Sequence, residues 1–341
     1  MRASLRFLTS AAAILLLSIT AAPAADQPLQ ATLSAMGGIP INLSAWGLDQ
    51  PAFDLVVTEI SGRIEELEAM ISTYRPDSEV SRLNRGEILD STPADLSFLV
   101  FVASWISGET AGTFDITVEP LVLLWRQCRQ EQRLPTAEEY EAALADVGHQ
   151  LVNVKLDGTI TFDQPGVKLD FGGIAKGYFA DEAVTLLREH GAKRCLADVG
   201  GDITTWQADP EAGEPFKVGI THPYGGDELY GILSLPTGAV VTSGNYERFY
   251  EINGRRYCHI FDPRTGHPVE DMLSVTVTTK GGIEADAYAT AIFVMGLEVG
   301  SSFVERNEQI EAVIIGLDQD GQVVEYVSPG LVDRVEVNPN R

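Results

Sequence analysis

Four short stretches of the chain combine residue types that can do chemistry. In Leu169-Asp170-Phe171-Gly172-Gly173-Ile174-Ala175-Lys176-Gly177-Tyr178, a strand-like pattern ends in a carboxylate, glycines follow, and a helix opens on a lysine. Glycine lets backbone approach a ligand closely, and a helix N-terminus presents unbonded N–H groups to an anion. Lys176 adds a point charge, although the same letters also suit a plain strand-to-helix turn. The spacing is not that of a Walker phosphate loop. In Glu284-Ala285-Asp286-Ala287-Tyr288-Ala289-Thr290, Asp286 and Thr290 stand four apart and share a helix face. Two hard oxygen groups there suit Mg²⁺, or else a dipole-favoured acid and an ordinary threonine. Tyr257-Cys258-His259-Ile260-Phe261-Asp262-Pro263-Arg264-Thr265-Gly266 sets a histidine late in a strand before a turn. Such a group can take a proton from a hydroxyl nucleophile, or cap the turn. Val241-Thr242-Ser243-Gly244-Asn245-Tyr246 suits phosphate or ribose contacts, or a polar turn, and it lacks the G-x-S-x-G of a hydrolase elbow.

The elements that must position these residues mix helix and strand. Leu55, Ile60, Ile64, Leu67 and Ile71 space an amphipathic helix over 53–74, followed by a turn at Arg75-Pro76-Asp77-Ser78. A second apolar helix is expected over 94–109, and Thr136-Ala137-Glu138-Glu139 opens a third with a capping-box pattern. Strands are expected at 151–156 and 159–162 about Asp157-Gly158, at 167–170, 194–199, 216–220, 229–234, 238–242 and 273–279. Asn253-Gly254 and Asp320-Gly321 mark two more hairpins, and 176–191 and 283–297 read as helices. Strands and helices do not alternate, so the fold class is α+β rather than doubly wound.

Composition sets the outer limits. The chain has 341 residues, 45% of them hydrophobic, which suits a large ordered core. Acids outnumber bases 49 to 24. That balance argues against nucleic acid as a partner, because a phosphate backbone calls for clustered Lys and Arg. Residues 1–25 carry Arg2 and Arg6, an apolar run centred on 11–19, and an A-x-A match at Ala22-Pro23-Ala24. These are the parts of a secretory signal peptide. Cleavage would leave 22 bases against 49 acids, a charge of −27, on an exported, soluble, periplasmic chain over 26–341. No other segment reads as a membrane span, and no cysteine near the cleavage site is placed to take a lipid. Cys128, Cys195 and Cys258 are too few and scattered for a disulfide framework and read as buried small apolar residues.

Taken in order, these stretches resemble the ApbE family, the FAD:protein FMN transferases. The likeness is carried by Ala35-Met36-Gly37, by Ser72 to Asn84, and by Thr113-Phe114-Asp115-Ile116-Thr117-Val118-Glu119-Pro120-Leu121-Val122. It continues through Leu169 to Gly177, Asp198-Val199-Gly200-Gly201-Asp202-Ile203, Thr242 to Tyr246, His259 to Gly266 and Glu284 to Thr290. The resemblance implies an α+β fold of two packed T-fold-like halves. It also implies an exported enzyme that uses Mg²⁺, or Mn²⁺, to move FMN from FAD to a threonine or serine hydroxyl of a partner protein, releasing AMP. That partner would be a subunit of a membrane redox complex or a related electron carrier. By the same likeness Met36 and Tyr74 contact the flavin end, and Thr113, Phe114 and Asp115 the FAD body. Asp170 and Lys176 hold nucleotide or phosphate, and His259 with Ile260 lies against FAD. Gly173, through its carbonyl, joins Asp286 and Thr290 on the metal, and His259 and Asp286 are the catalytic residues. The chain departs from the family pattern at Gly38, at Ile116 to Glu119 and at Asn245. Glu119 brings an added negative charge to the nucleotide region. An FAD pyrophosphatase and a non-catalytic FAD-binding protein are the competing readings.

Overall fold

The computed structural model describes residues 27–338 apart from 90, 212, 227, 247 and 248, so the expected leader lies outside the described residues. The chain opens with strands β1 (Leu29–Ala35) and β2 (Ile39–Trp46) and the long helix α1 (Gln50–Ile71). Short α2 (Glu79–Asn84), α3 (Ala94–Glu109), α4 (Glu119–Glu131) and α5 (Ala137–Leu144) follow. A small hairpin of β3 (Val152–Val154) and β4 (Ile160–Phe162) leads to α6 (Ala175–Glu189), then β5 (Arg194–Val199) and β6 (Asp202–Gln207). Strands β7 (Phe216–Thr221), β8 (Leu229–Leu235) and β9 (Gly238–Gly244) come next, then β10 (Phe249–Ile252), β11 (Arg255–Cys258) and β12 (Met272–Thr279). The chain finishes with α7 (Gly282–Glu305), β13 (Glu311–Leu317), β14 (Val323–Val327) and β15 (Val335–Val337).

Eight strands form one antiparallel sheet in the order β1-β2-β5-β6-β9-β12-β13-β14. The order falls into two halves. Strands β1, β2, β5 and β6 surround α1 and α6, strands β9, β12, β13 and β14 surround α7, and the β6–β9 pairing joins the halves. The mixed helices and antiparallel sheet agree with the α+β class read from the sequence, and the division agrees with the two halves that the resemblance implies. Helices α1, α6 and α7 cover one face, where Ile41, Leu43, Ile60, Leu67, Phe179 and Phe293 are fully or almost fully buried. The sheet β15-β8-β7 covers part of the other face, and its Leu233 and Leu235 join Val240, Val313 and Ile315 of the large sheet in a second cluster. A third cluster about Trp125 and Phe261, whose rings lie 5.5 Å apart, fastens the β10–β11 hairpin to α4.

Local chemistry accounts for most element ends. Asp49 caps α1, accepting from the Ala52 N–H at 2.9 Å, with Pro51 at the first turn where its missing N–H costs nothing. Thr136 and Glu139 form the expected capping box. Residues 167–170, expected as a strand, form none. They are extended, but Asn84 takes the place of a neighbouring strand: its amide donates to the Leu169 carbonyl at 2.9 Å and accepts from the Leu169 N–H at 2.7 Å. Alternating burial gave the strand pattern without an edge to pair. Helix α7 runs past its expected end at 297 to Glu305, broken at Gly296, where φ is 77°. By length and composition α7 could cross a membrane, contrary to the sequence reading. In the fold it lies over β9, β12 and β13, with Asp286 buried. The three cysteines are buried thiols, as expected.

Candidate active site

Two hairpin turns and two helix N-termini build the site. Gly200 and Gly201, with φ of 59° and 100°, close a two-residue turn between β5 and β6 that needs left-handed backbone at both positions. Asp198 accepts from the Gly201 N–H at 2.7 Å. The turn delivers Asp202 to the start of β6, 1% exposed. There it meets Lys176 from the first turn of α6, Nζ to Oδ1 at 2.7 Å. Asp202 also faces Asp286 of α7, and burial together with that second acid raises its carboxyl well above the usual range, against the pull of Lys176. Its Oδ2 is buried without a hydrogen-bond partner.

The N-terminal turns of α6 and α7 pack closely because glycines stand at the contact. A Cβ on Gly177 would overlap the Gly282 carbonyl oxygen and press on Asp286 Cβ at 3.0 Å. The Gly177 N–H donates to Asp286 Oδ2 at 3.1 Å. From the next turn of α6, Asp181 caps α7 across the gap, accepting from Gly282 N–H, Ile283 N–H and the Thr204 hydroxyl at 2.7, 3.0 and 2.8 Å. Thr290 lies one turn beyond Asp286. A Cβ on Gly173 would stand 3.1 Å from Thr290 Oγ1 and 3.4 Å from the Phe114 ring. The expected metal residues Gly173, Asp286 and Thr290 are thus gathered with Lys176 and Asp202.

Among the described residues, no three His, Cys, Asp or Glu side chains gather as a metal-binding group. The set is instead carboxylate, hydroxyl and a glycine packed against that hydroxyl, together with Asp202, whose Oδ2 has no hydrogen-bond partner. Two buried acids against one lysine leave a net negative charge that a cation or a proton must offset. Hard oxygen donors of this kind fit Mg²⁺ or Mn²⁺, which keep places for water and phosphate oxygens.

A second group lies along α4. Asp170, turned back to accept from the Gly172 N–H at 2.7 Å, sits within hydrogen-bonding reach of Glu119. Burial and the Asp170 charge raise the Glu119 carboxyl to about 8, with Arg126 and Lys168 opposing. Arg126 lies over the Tyr74 ring, 5.1 Å from its centroid. Burial pushes the nearby Tyr250 hydroxyl up to about 12. Met36 occupies the β1–β2 turn in left-handed backbone, φ 47°, its N–H held by Glu68 of α1 at 2.8 Å. Met36 and Tyr74 are therefore both anchored at the C-terminal end of α1.

Other expected residues sit deeper. Thr113 is 1% exposed and donates to the Thr110 carbonyl at 3.0 Å. Asp115 accepts from the Thr117 N–H and hydroxyl at 2.8 and 2.7 Å and from the His149 N–H at 2.6 Å. Their side chains bind the fold, so this segment offers backbone and the Phe114 ring to the site. His259 follows β11, half-buried between buried Cys258 and Ile260. Its turn reaches back to the Gly112–Phe114 segment, where a Cβ on Gly112 would stand 3.9 Å from Arg264 Cγ. In the Thr242–Tyr246 stretch, Thr242 bonds to Thr276 at 2.9 Å and Asn245 donates to the Met272 carbonyl at 2.9 Å, so both serve the sheet. Asp202, Arg126 and Tyr250 take no role from the sequence alone. Asp202 lies within Asp198-Val199-Gly200-Gly201-Asp202-Ile203, where a Gly-Gly turn feeding an acid into a strand is the signal for it. Arg126 and Tyr250 are far apart in sequence and carried none.

The fold and site together define a class: an α+β enzyme fold with a buried acid–lysine centre at two abutting helix N-termini, suited to a cation and an anionic ligand. Comparisons with known proteins make the assignment narrower. The ApbE family model matches residues 38–314. A Klebsiella pneumoniae (strain 342) protein named FAD:protein FMN transferase is 31% identical over 304 residues, covering 86% of this chain and 92% of its own. One of the same name from Vibrio cholerae serotype O1 is 34% identical over 278 residues, covering 80% and 82%. Among solved structures, the apo flavinyl transferase ApbE of Pseudomonas stutzeri superposes with a TM-score of 0.76 at 31% identity, covering 89% of this chain and 95% of that one. The ApbE protein of Thermotoga maritima gives 0.78 at 28% identity, covering 89% and 98%. This chain belongs to the ApbE family.

Proposed function

We propose that the protein transfers FMN from FAD to a threonine or serine hydroxyl of an exported partner protein and releases AMP, in a reaction that depends on Mg²⁺. The observation that carries this is the gathering of Gly173, Asp286 and Thr290 beside the Lys176–Asp202 pair, in a chain whose relatives are named FAD:protein FMN transferase. Gly173, Asp286 and Thr290 would hold the cation, which when bound supplies positive charge to the phosphate oxygens of FAD. Lys176, fixed by Asp202, adds a second positive charge at the N-terminus of α6. Tyr74 and Met36 receive the flavin end of the substrate. His259 accepts the proton of the acceptor hydroxyl as its oxygen attacks the FMN-side phosphorus. The bond from that phosphorus to the bridging oxygen breaks, and AMP leaves with the oxygen. Export rests on the leader pattern of residues 1–25 and places the reaction in the periplasm.

The test incubates the mature protein with FAD and Mg²⁺, with and without an acceptor domain, and follows AMP and covalent flavin fluorescence on a denaturing gel. AMP with a fluorescent acceptor band is the expected result. AMP and free FMN with every acceptor offered would make the protein a pyrophosphatase. Tight FAD binding without AMP would make it a carrier.

A further inference from the structure

Glu119 opens α4 at 3% exposure, and its Oε2 is buried without a hydrogen-bond partner. Buried polar atoms in folded proteins are otherwise nearly always bonded, so an exception marks a place where something else supplies the partner. The surroundings say what kind. Glu119 lines a cavity of about 330 Å³ with Tyr74, Asn84, Arg85 and Lys168. Tyr74 as a residue is 78% exposed, and Arg126 lies over one face of its ring, so the other face offers a platform for a planar ring. The Glu119–Asp170 contact requires a proton between the two carboxyls, since two adjacent negative charges out of water repel.

We propose that Glu119 reads the substrate: its Oε2 accepts a hydrogen bond from an N–H on the edge of a planar heterocycle stacked on Tyr74. The inference rests on the FAD reading above. With the flavin end of FAD at Tyr74, that edge is the imide N–H of the flavin ring. Glu119 also sets a pH limit on this contact. The groups facing it are Asp170 from the loop before α6, Lys168 from the extended segment, Arg126 from its own helix, and the Tyr74, Tyr250 and Arg85 side chains around them. When Glu119 loses its proton, the pair becomes doubly negative, Asp170 is pushed away and the anionic dinucleotide is repelled.

The test titrates the mature chain with FAD, FMN and AMP separately, by calorimetry, for wild type, Glu119→Gln and Glu119→Leu. Glu119→Leu is expected to weaken FAD about tenfold, the worth of one buried hydrogen bond. Glu119→Gln keeps a carbonyl acceptor and can donate to Asp170, so it restores most of that loss. Wild-type affinity falls between about pH 7 and 9, while that of Glu119→Gln stays level, a difference that a merely structural role would not produce. The Glu119→Leu loss is expected with FMN and not with AMP; a loss seen with AMP and not with FMN overturns the flavin contact. FAD affinity within twofold across all three proteins, or an equal pH dependence in wild type and Glu119→Gln, overturns the role of Glu119 and leaves the transferase reading standing. A wild type that binds no FAD overturns both.

Discussion

At the scale of single residues, the site gathers charge that ordinary folding would avoid. Asp202 and Asp286 are 1% and 3% exposed with one lysine between them. Desolvating that set is costly unless a further positive charge enters, so stability and cation binding are linked. Millimolar Mg²⁺ or Mn²⁺ is expected to raise the melting temperature of the wild type, and Asp286→Asn to abolish that rise and to lower AMP release by at least about a hundredfold. A variant that keeps both would remove Asp286 from the metal. His259→Ala should bind FAD with near-normal affinity but transfer it about 10²- to 10⁴-fold more slowly, the usual share of a general base. Unchanged single-turnover transfer would assign the proton elsewhere. The two variants separate holding the substrate from reacting it.

At the scale of elements, the contact between α6 and α7 decides whether the site exists. It depends on Gly177 and Gly282 for closeness and on Asp181 to satisfy the first N–H groups of α7. Asp181→Ala removes three hydrogen bonds at a buried helix start and should cost about 2–3 kcal/mol. Gly177→Ala puts a methyl group on backbone, which can move only with the whole helix. We expect it to lose cation binding even where the chain still folds, read as a flat melting temperature against added Mg²⁺. A Gly177→Ala protein with an undiminished cation response would show that the helices can part without disturbing Asp286. Glycine is legible in a sequence, but its reason here is not, because the backbone it must admit comes from more than 100 residues away.

For the whole molecule, acidity gives a pH response. Glu119 is raised to about 8, burial raises Asp181, and Asp115 raises His149 by hydrogen bond and charge. Each holds its proton more tightly folded than unfolded, so its contribution is complete below its unfolded pKa and is lost as pH rises through the folded value. The depressed Asp95, held down by hydrogen bonds from Arg63, works the other way, and only as pH falls below the ordinary carboxylate range near 4. The cation-free protein should therefore melt several degrees higher at about pH 5.5 than at about pH 8.5, at roughly 2 °C per kcal/mol for a chain of this length. A melting temperature that climbs with pH across that range would refute the Glu119 and His149 contributions. Intact mass of the full chain expressed in a bacterium tests the leader: loss of residues 1–25 is expected, and a full-length mass would disprove it.

Much of this was legible in order along the chain. Capping letters, hydrophobic spacing and turn dipeptides marked α3 to the residue, the Thr136 capping box and the hairpins at Asn253-Gly254 and Asp320-Gly321, because those signals act within a few residues. The motif order carried the family, and the i, i+4 relation of Asp286 and Thr290 held because a helix enforces it. What the tertiary structure alone decided was long-range. Asn84 stands in for a strand beside Leu169, and Asp181 caps a helix about a hundred residues on. Asp202 is the hidden partner of Lys176, and Thr113 and Asp115 spend their side chains on the fold. None of these follows from spacing, because burial and the pairing of distant polar groups are set only when the sheet and helices close on one another.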